Sequence, residues 1–132
     1  MRYMLLIYAE EAQQVDGGSG DAPEIPPAWM EYTNWLLREG IHSAGEQLAG
    51  SSSATTVRVR DGNRLVTDGP YTETKEVLGG YYIIECDNLD EALEAAARCP
   101  GALGGSIEVR PIVGMAAPPM DRAAAAGPNA VG

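Results

Sequence analysis

The chain has 132 residues, 9 of them Lys or Arg against 19 Asp or Glu, for a formal net charge of −10. That length suits a single domain of roughly 100–150 residues, and so acidic a chain with no basic cluster argues against nucleic acid as a partner. The sole lysine is Lys75 and the sole histidine His42, which excludes a His-rich metal site within one chain and obliges any Ser-His-Asp or Cys-His device to use His42.

Residues 3–9 are dense in apolar and β-forming side chains and predict a first strand, buried on nearly both faces. The run is too short for a signal segment or a membrane span, so a soluble, cytoplasmic protein is expected. Residues 10–25 carry five carboxylates with Gly17, Gly18 and Gly20, the composition of a mobile acidic loop. Asp16 to Asp21 lacks the spacing of a calcium loop. Pro26-Pro27 suits the first turn of a helix, which runs to about Glu39 with Trp29, Met30, Tyr32, Trp35 and Leu36 on its apolar face. Gly40 fits the position just past its end.

Residues 41–53 read as a loop. Residues 55–60 alternate as Thr-Thr-Val-Arg-Val-Arg and predict a half-buried strand. Asp61-Gly62-Asn63 is a hairpin signal, residues 64–67 form the return strand, and Asp68-Gly69-Pro70 breaks it. Residues 79–86 give the strongest strand pattern in the chain. Asn88 with Glu91 approximates a capping box ahead of a second helix striped by Leu89, Ala92, Leu93, Ala96 and Ala97. Pro100-Gly101 stops that helix, and residues 106–113 form a last strand. From Gly114 the composition turns to Ala, Pro and Gly, so a domain of residues 1–113 and a tail of residues 114–132 are expected. Cys86 and Cys99 lack metal spacing and read as reduced packing residues.

The order β-α-β-β-β-α-β is a ferredoxin-like plan with an added strand piece. Both helices then cover one sheet face. The other face exposes Tyr and Ile unless a second copy covers it, so a homodimer packed sheet on sheet is expected.

The densest polar cluster is residues 67–76, Thr-Asp-Gly-Pro-Tyr-Thr-Glu-Thr-Lys-Glu. It sets carboxylates beside the lone ammonium, a phenol and several hydroxyls. Such a mixture suits a small polar ligand, with Asp68 or Glu76 as base and Lys75 as an amine whose charge responds to burial. The same residues also make ordinary turn chemistry, with Asp68 bonding backbone N–H groups and Lys75 paired in solvent. Arg58 and Arg60 share a strand face and suit either an anion or water. His42 suits a general base or a loop position. Trp29 and Trp35 suit core or dimer packing.

From residue 1 to about residue 113 the chain resembles the YCII-related family, in its DGPF-domain branch. The matching residues are Tyr3-Met4-Leu5-Leu6-Ile7-Tyr8, Ala54-Thr55-Thr56-Val57-Arg58, the long block Val66 to Glu76 containing Asp68-Gly69-Pro70-Tyr71, Leu78-Gly79-Gly80-Tyr81-Tyr82, Leu89-Asp90-Glu91-Ala92 and Glu108-Val109-Arg110-Pro111. Tyr71 stands where the branch has Phe. The resemblance implies a dimeric α+β barrel of ferredoxin-like protomers. Wider relatives use a His-Asp pair whose His lies in the first helix, and some act on chlorinated muconate-type lactones or acids. Here His42 follows that helix, so that pair is not carried over. Relatives are often encoded beside extracytoplasmic-function sigma factors.

Two functions follow as expectations. The first is a site for a small organic acid or similar metabolite in a sheet–helix cleft, without metal or cofactor. Asp68, Lys75 and Glu76 would carry proton abstraction or elimination, and Tyr8, Arg58 and Tyr71 would bind the ligand. The second is a non-catalytic interaction protein that partners a regulatory factor such as a sigma-factor system.

Overall fold

The computed structural model describes residues 1–11 and 25–114. Most of the expected acidic loop and the expected tail, residues 12–24 and 115–132, lie outside them.

The largely apolar start of the chain forms strand β1, Arg2–Glu10. Helix α1, Pro27–Arg38, opens on a proline whose missing N–H costs nothing there. It closes as the Gly40 signal predicts: the Ile41 and Gly40 amides donate back to the carbonyls of Leu36 and Leu37, both at 3.1 Å, the double bond of a Schellman end. β2, His42–Gln47, follows where a loop was expected. HSAGEQ holds no β-branched residue, so its strand character comes from pairing with a neighbour rather than from propensity.

Strands β3, Thr55–Arg60, and β4, Asn63–Asp68, form a hairpin. Asp61 and Gly62 turn it with φ of 53° and 77°, the mirror-image turn that matches the twist of paired strands. β5, Glu76–Glu85, precedes α2, Leu89–Arg98, where the Asn88 side chain accepts from the Glu91 amide at 3.0 Å. The Glu91 carboxylate reaches back to the Asp87 amide at 2.8 Å. Pro100-Gly101 does stop α2, but a short helix α3, Gly101–Gly104, follows at once. β6, Ser106–Pro111, ends the fold.

The main sheet has the order β2-β5-β1-β6 and every pair is antiparallel. This is a ferredoxin-like arrangement, and β2, not the hairpin, supplies its second strand. The hairpin forms a separate two-stranded sheet. β3 is therefore not half-buried as its alternation predicts. Val57 and Val59 are 58% and 61% exposed, because no second layer lies against them.

The helices cover one face of the main sheet. Tyr3, Leu5 and Ile84 point under them and meet Tyr32, Leu36, Ala92, Ala95 and Ala96. Leu5, Leu36 and Ile84 are fully buried, each contributing roughly 1.5–3 kcal/mol relative to exposure. α2 buries Ala92, Ala95 and Ala96, while Ala97 is exposed and Leu89 and Leu93 stay about half exposed, so the buried stripe is narrower than the sequence predicts. Cys86 and Cys99 are buried and free, as expected. Burial raises the Cys99 thiol to about 11 and pushes Cys86 up as well.

Two β-bulges interrupt the strand alternation. At Ser43 the register passes from His42 opposite Ile84 to Ala44 opposite Ile83. At Gly79 it passes from Gly80 opposite Ile7 to Leu78 opposite Tyr8. Among the described residues no helix is long and apolar enough to cross a membrane.

Candidate functional site

Between α1, α3 and the helix-side face of the sheet lies a cavity of about 590 Å³, inside the usual range for small-molecule sites. Its walls are mainly apolar: Ile7, Pro26, Trp29 and the ring of Tyr82. Its polar side chains come from α1 and β2, namely Thr33, His42 and Gln47. Among the described residues no Lys or Arg lines it.

The ordering of these groups follows from the backbone. The bulge at Ser43 turns His42 to the helix side, opposite Ile84. There its ring meets that of Tyr82 edge-on, with centroids 6.0 Å apart. Tyr82 lies across Gly45, where a Cβ would stand 2.8 Å from the phenol ring, so only glycine lets the ring settle. The Tyr82 hydroxyl shares a 2.7 Å hydrogen bond with the Thr33 hydroxyl. Burial raises the Tyr82 phenol above its ordinary range, and the Thr33 bond partly opposes that rise. Tyr32 packs edge-on against Tyr82 at 5.4 Å and donates to the Ala95 carbonyl at 2.7 Å. That contact ties α1 to the end of α2 and holds the wall of the cavity in place.

The polar block read from the sequence lies elsewhere. Tyr8, Tyr71, Lys75 and Glu76 line a wider hollow of about 1520 Å³, between the root of the hairpin and the face of the sheet that no helix covers. The Lys75 ammonium pairs with Glu10 at 3.3 Å, and its side chain is 85% exposed. Glu76 accepts from the Ser106 hydroxyl at 3.1 Å, and the Thr74 hydroxyl donates to the Glu76 carbonyl. The Tyr8 hydroxyl donates to Glu108 at 3.4 Å, and burial, then that carboxylate, raises its phenol. Asp68 ends β4 opposite Thr55, and Arg58 donates to the Tyr71 carbonyl at 3.3 Å. Neither lines the hollow.

The structure thus gathers four of the six sequence-derived site residues in one place, on the sheet face away from the cavity. Of the cavity residues, Thr33 carries no motif, His42 reads from the sequence as a general base or a loop residue, and Tyr82 ends the block Leu78 to Tyr82. Trp29 and Trp35 both pack against the core. Trp29 lines the cavity, and Trp35 takes the Arg98 guanidinium 4.6 Å over its ring. Among the described residues no three His, Cys, Asp or Glu side chains converge as a ligand set.

A family model described as "YCII-related domain" matches residues 1–116. An uncharacterised protein of Rhizobium meliloti (strain 1021) is 46% identical over 114 residues, covering 85% of this chain and 92% of that one.

Proposed function

Since the chain belongs to the YCII-related domain family, we propose that it binds a small metabolite in the cavity between α1, α3 and the sheet. The observation that carries this reading is the convergence of the sole histidine with the Tyr82–Thr33 hydroxyl pair inside a mainly apolar space. The aromatic walls fit a planar or unsaturated molecule. The polar end fits a single carboxylate or carbonyl, which Thr33 and Tyr82 bond while His42 supplies or accepts a proton. An acid bound here relies on His42 for its positive partner, because among the described residues no Lys or Arg lines the cavity. Any proton abstraction then runs through His42.

The uncovered sheet face belongs to the same proposal. Its centre is Met4, Leu6, Tyr81 and Ile83, all half-buried in a single copy. A second copy packed sheet on sheet buries it. In this reading Lys75, Glu76, Tyr8 and Tyr71 serve the joint between copies, while Asp68 and Arg58 fix the hairpin at its root.

The test is a thermal-shift and calorimetric screen with small aromatic and unsaturated monocarboxylates and their neutral analogues. A ligand at about 100 times its dissociation constant stabilises the fold by roughly 2.7 kcal/mol. His42→Ala and Thr33→Val are expected to abolish that gain, and Lys75→Ala to leave it intact. The reverse pattern moves the ligand to the hollow under the hairpin and overturns this placement.

A further inference from the structure

The cavity has two unlike ends, and the register of the sheet sets their order. Along β2, His42 stands opposite Ile84, Gly45 opposite Tyr82, and Gln47 opposite Gly80. Gly80 in turn faces Ile7 on β1. On the helix above, Trp29 precedes Thr33 by one turn, so the two share a face, and both line the cavity. Thr33 bonds the Tyr82 hydroxyl. The polar end is therefore His42, Tyr82 and Thr33. The other end lies about 5.4 Å away along α1, the rise of one helical turn. There Trp29 and Ile7 meet Gly101 of α3.

Gly101 closes that end. A Cβ there would stand 3.0 Å from Ile7 Cγ2, 3.2 Å from Trp29 Cη2 and 3.4 Å from Ile107 Cδ1. Among the described residues the glycines with positive φ are Gly40, Gly62 and Gly69, so the backbone angles at Gly101 do not call for glycine. Its contribution is room: the tip of the indole and the ends of two isoleucines come up to bare backbone. A Cβ at Gly105 would collide with the Tyr8 carbonyl oxygen, so α3 is seated hard against β1 and the end wall cannot retreat that way. The polar side chain at this end is Gln47, on the edge strand β2, and its amide bears no charge. Among the described residues no Lys or Arg lines the cavity. A carboxylate at this end would lose water without gaining a cation, which is costly.

We infer that the ligand is a monocarboxylate with a single-ring apolar body, its acid group at His42, Tyr82 and Thr33 and its far end against Gly101. Gly101 sets the length of body that the cavity accepts. The inference rests on the ligand site proposed above and narrows it, because it excludes a second acid group.

Isothermal titration calorimetry on the full chain tests it with benzoate, 4-ethylbenzoate and terephthalate. These share an aryl acid head and carry hydrogen, ethyl or a second carboxylate at the far end. The wild type is expected to bind 4-ethylbenzoate more tightly than benzoate. Terephthalate is expected to bind at least about tenfold more weakly than 4-ethylbenzoate, because its second charge is buried unpaired. In Gly101→Ala the ratio of 4-ethylbenzoate to benzoate affinity is expected to fall about tenfold, the lower scale for one methylene in an apolar pocket. Trp29→Phe withdraws the indole tip from the same corner and is expected to raise that ratio. Each ratio is read within one variant, so a loss of stability that lowers both affinities alike does not enter it. Trp29→Phe carries the test alone if Gly101→Ala does not fold. Ratios that stay at the wild-type value, or terephthalate bound as tightly as 4-ethylbenzoate, overturn the inference and spare the cavity as a ligand site. A wild type that binds none of the three overturns the inference, and it overturns the proposed site as well when the wider screen of monocarboxylates is also empty.

Discussion

Leu5 and Leu6 are adjacent on β1 and face opposite sides of one sheet. Leu5 has no exposed surface and packs beneath the helices. Leu6 pairs across the strands with Tyr81 and Glu108 and stays half covered. The helix side is finished within one chain. It holds the fully buried residues, the tyrosine contact that ties α1 to α2, and the mainly apolar cavity. The other side has an apolar centre, acidic edges and the hairpin beside it. The first face makes the chain fold, and the second is the one that the proposed pairing of copies buries.

The largest test of that contrast is a pair of identical truncations. Leu5→Ala is expected to cost about 2–5 kcal/mol, read by denaturant unfolding, and the loss is the same at every protein concentration. A loss near zero breaks the claim that the helix side carries the fold. A smaller effect comes from pH. The buried Cys99 thiol ionises only near 11, against an ordinary 9. The unfolded chain therefore gives up that proton first, and stability falls as pH rises from about 9 to 11. Cys99→Ala is expected to flatten that part of a melting-temperature profile. The smallest effect in dilute solution is Leu6→Ala, which is expected to cost under about 1 kcal/mol, in line with partly exposed positions. On the proposed pairing of copies its cost grows as protein concentration rises, because the second copy buries the side chain. Equal losses for Leu6→Ala in dilute and concentrated solution would remove the distinction between the faces.

Much of the fold is legible in the sequence because its signals are local. The proline pair and Gly40 bracket α1, Asp61-Gly62 turns the hairpin, and Asn88 caps α2. β2 is not legible. HSAGEQ has no β pattern, and only β5 beside it makes it a strand. The height of the hairpin above the sheet is equally hidden, since alternation reports two faces and not what lies against them. The polar block at residues 67–76 was visible as a cluster, and the structure keeps four of the six residues read from the sequence together. Which face they serve is a register property that no spacing rule reveals. The sequence leaves His42 between a general base and a loop residue for the same reason: its place in the cavity depends on β2 and on a bulge.

Those two bulges set the chemistry of the two faces. Strand alternation is a matter of odd and even, and each extra residue reverses the count beyond it. The additional residue at Ser43 carries His42 from the outer side to the inner one. The additional residue at Gly79 carries Glu76 and Leu78 from the inner side to the outer one. The protein's one imidazole and its polar block are thereby sorted into separate compartments by two single-residue shifts of parity. A deletion at either place would leave the composition almost untouched and move the residues it sorts into the other room.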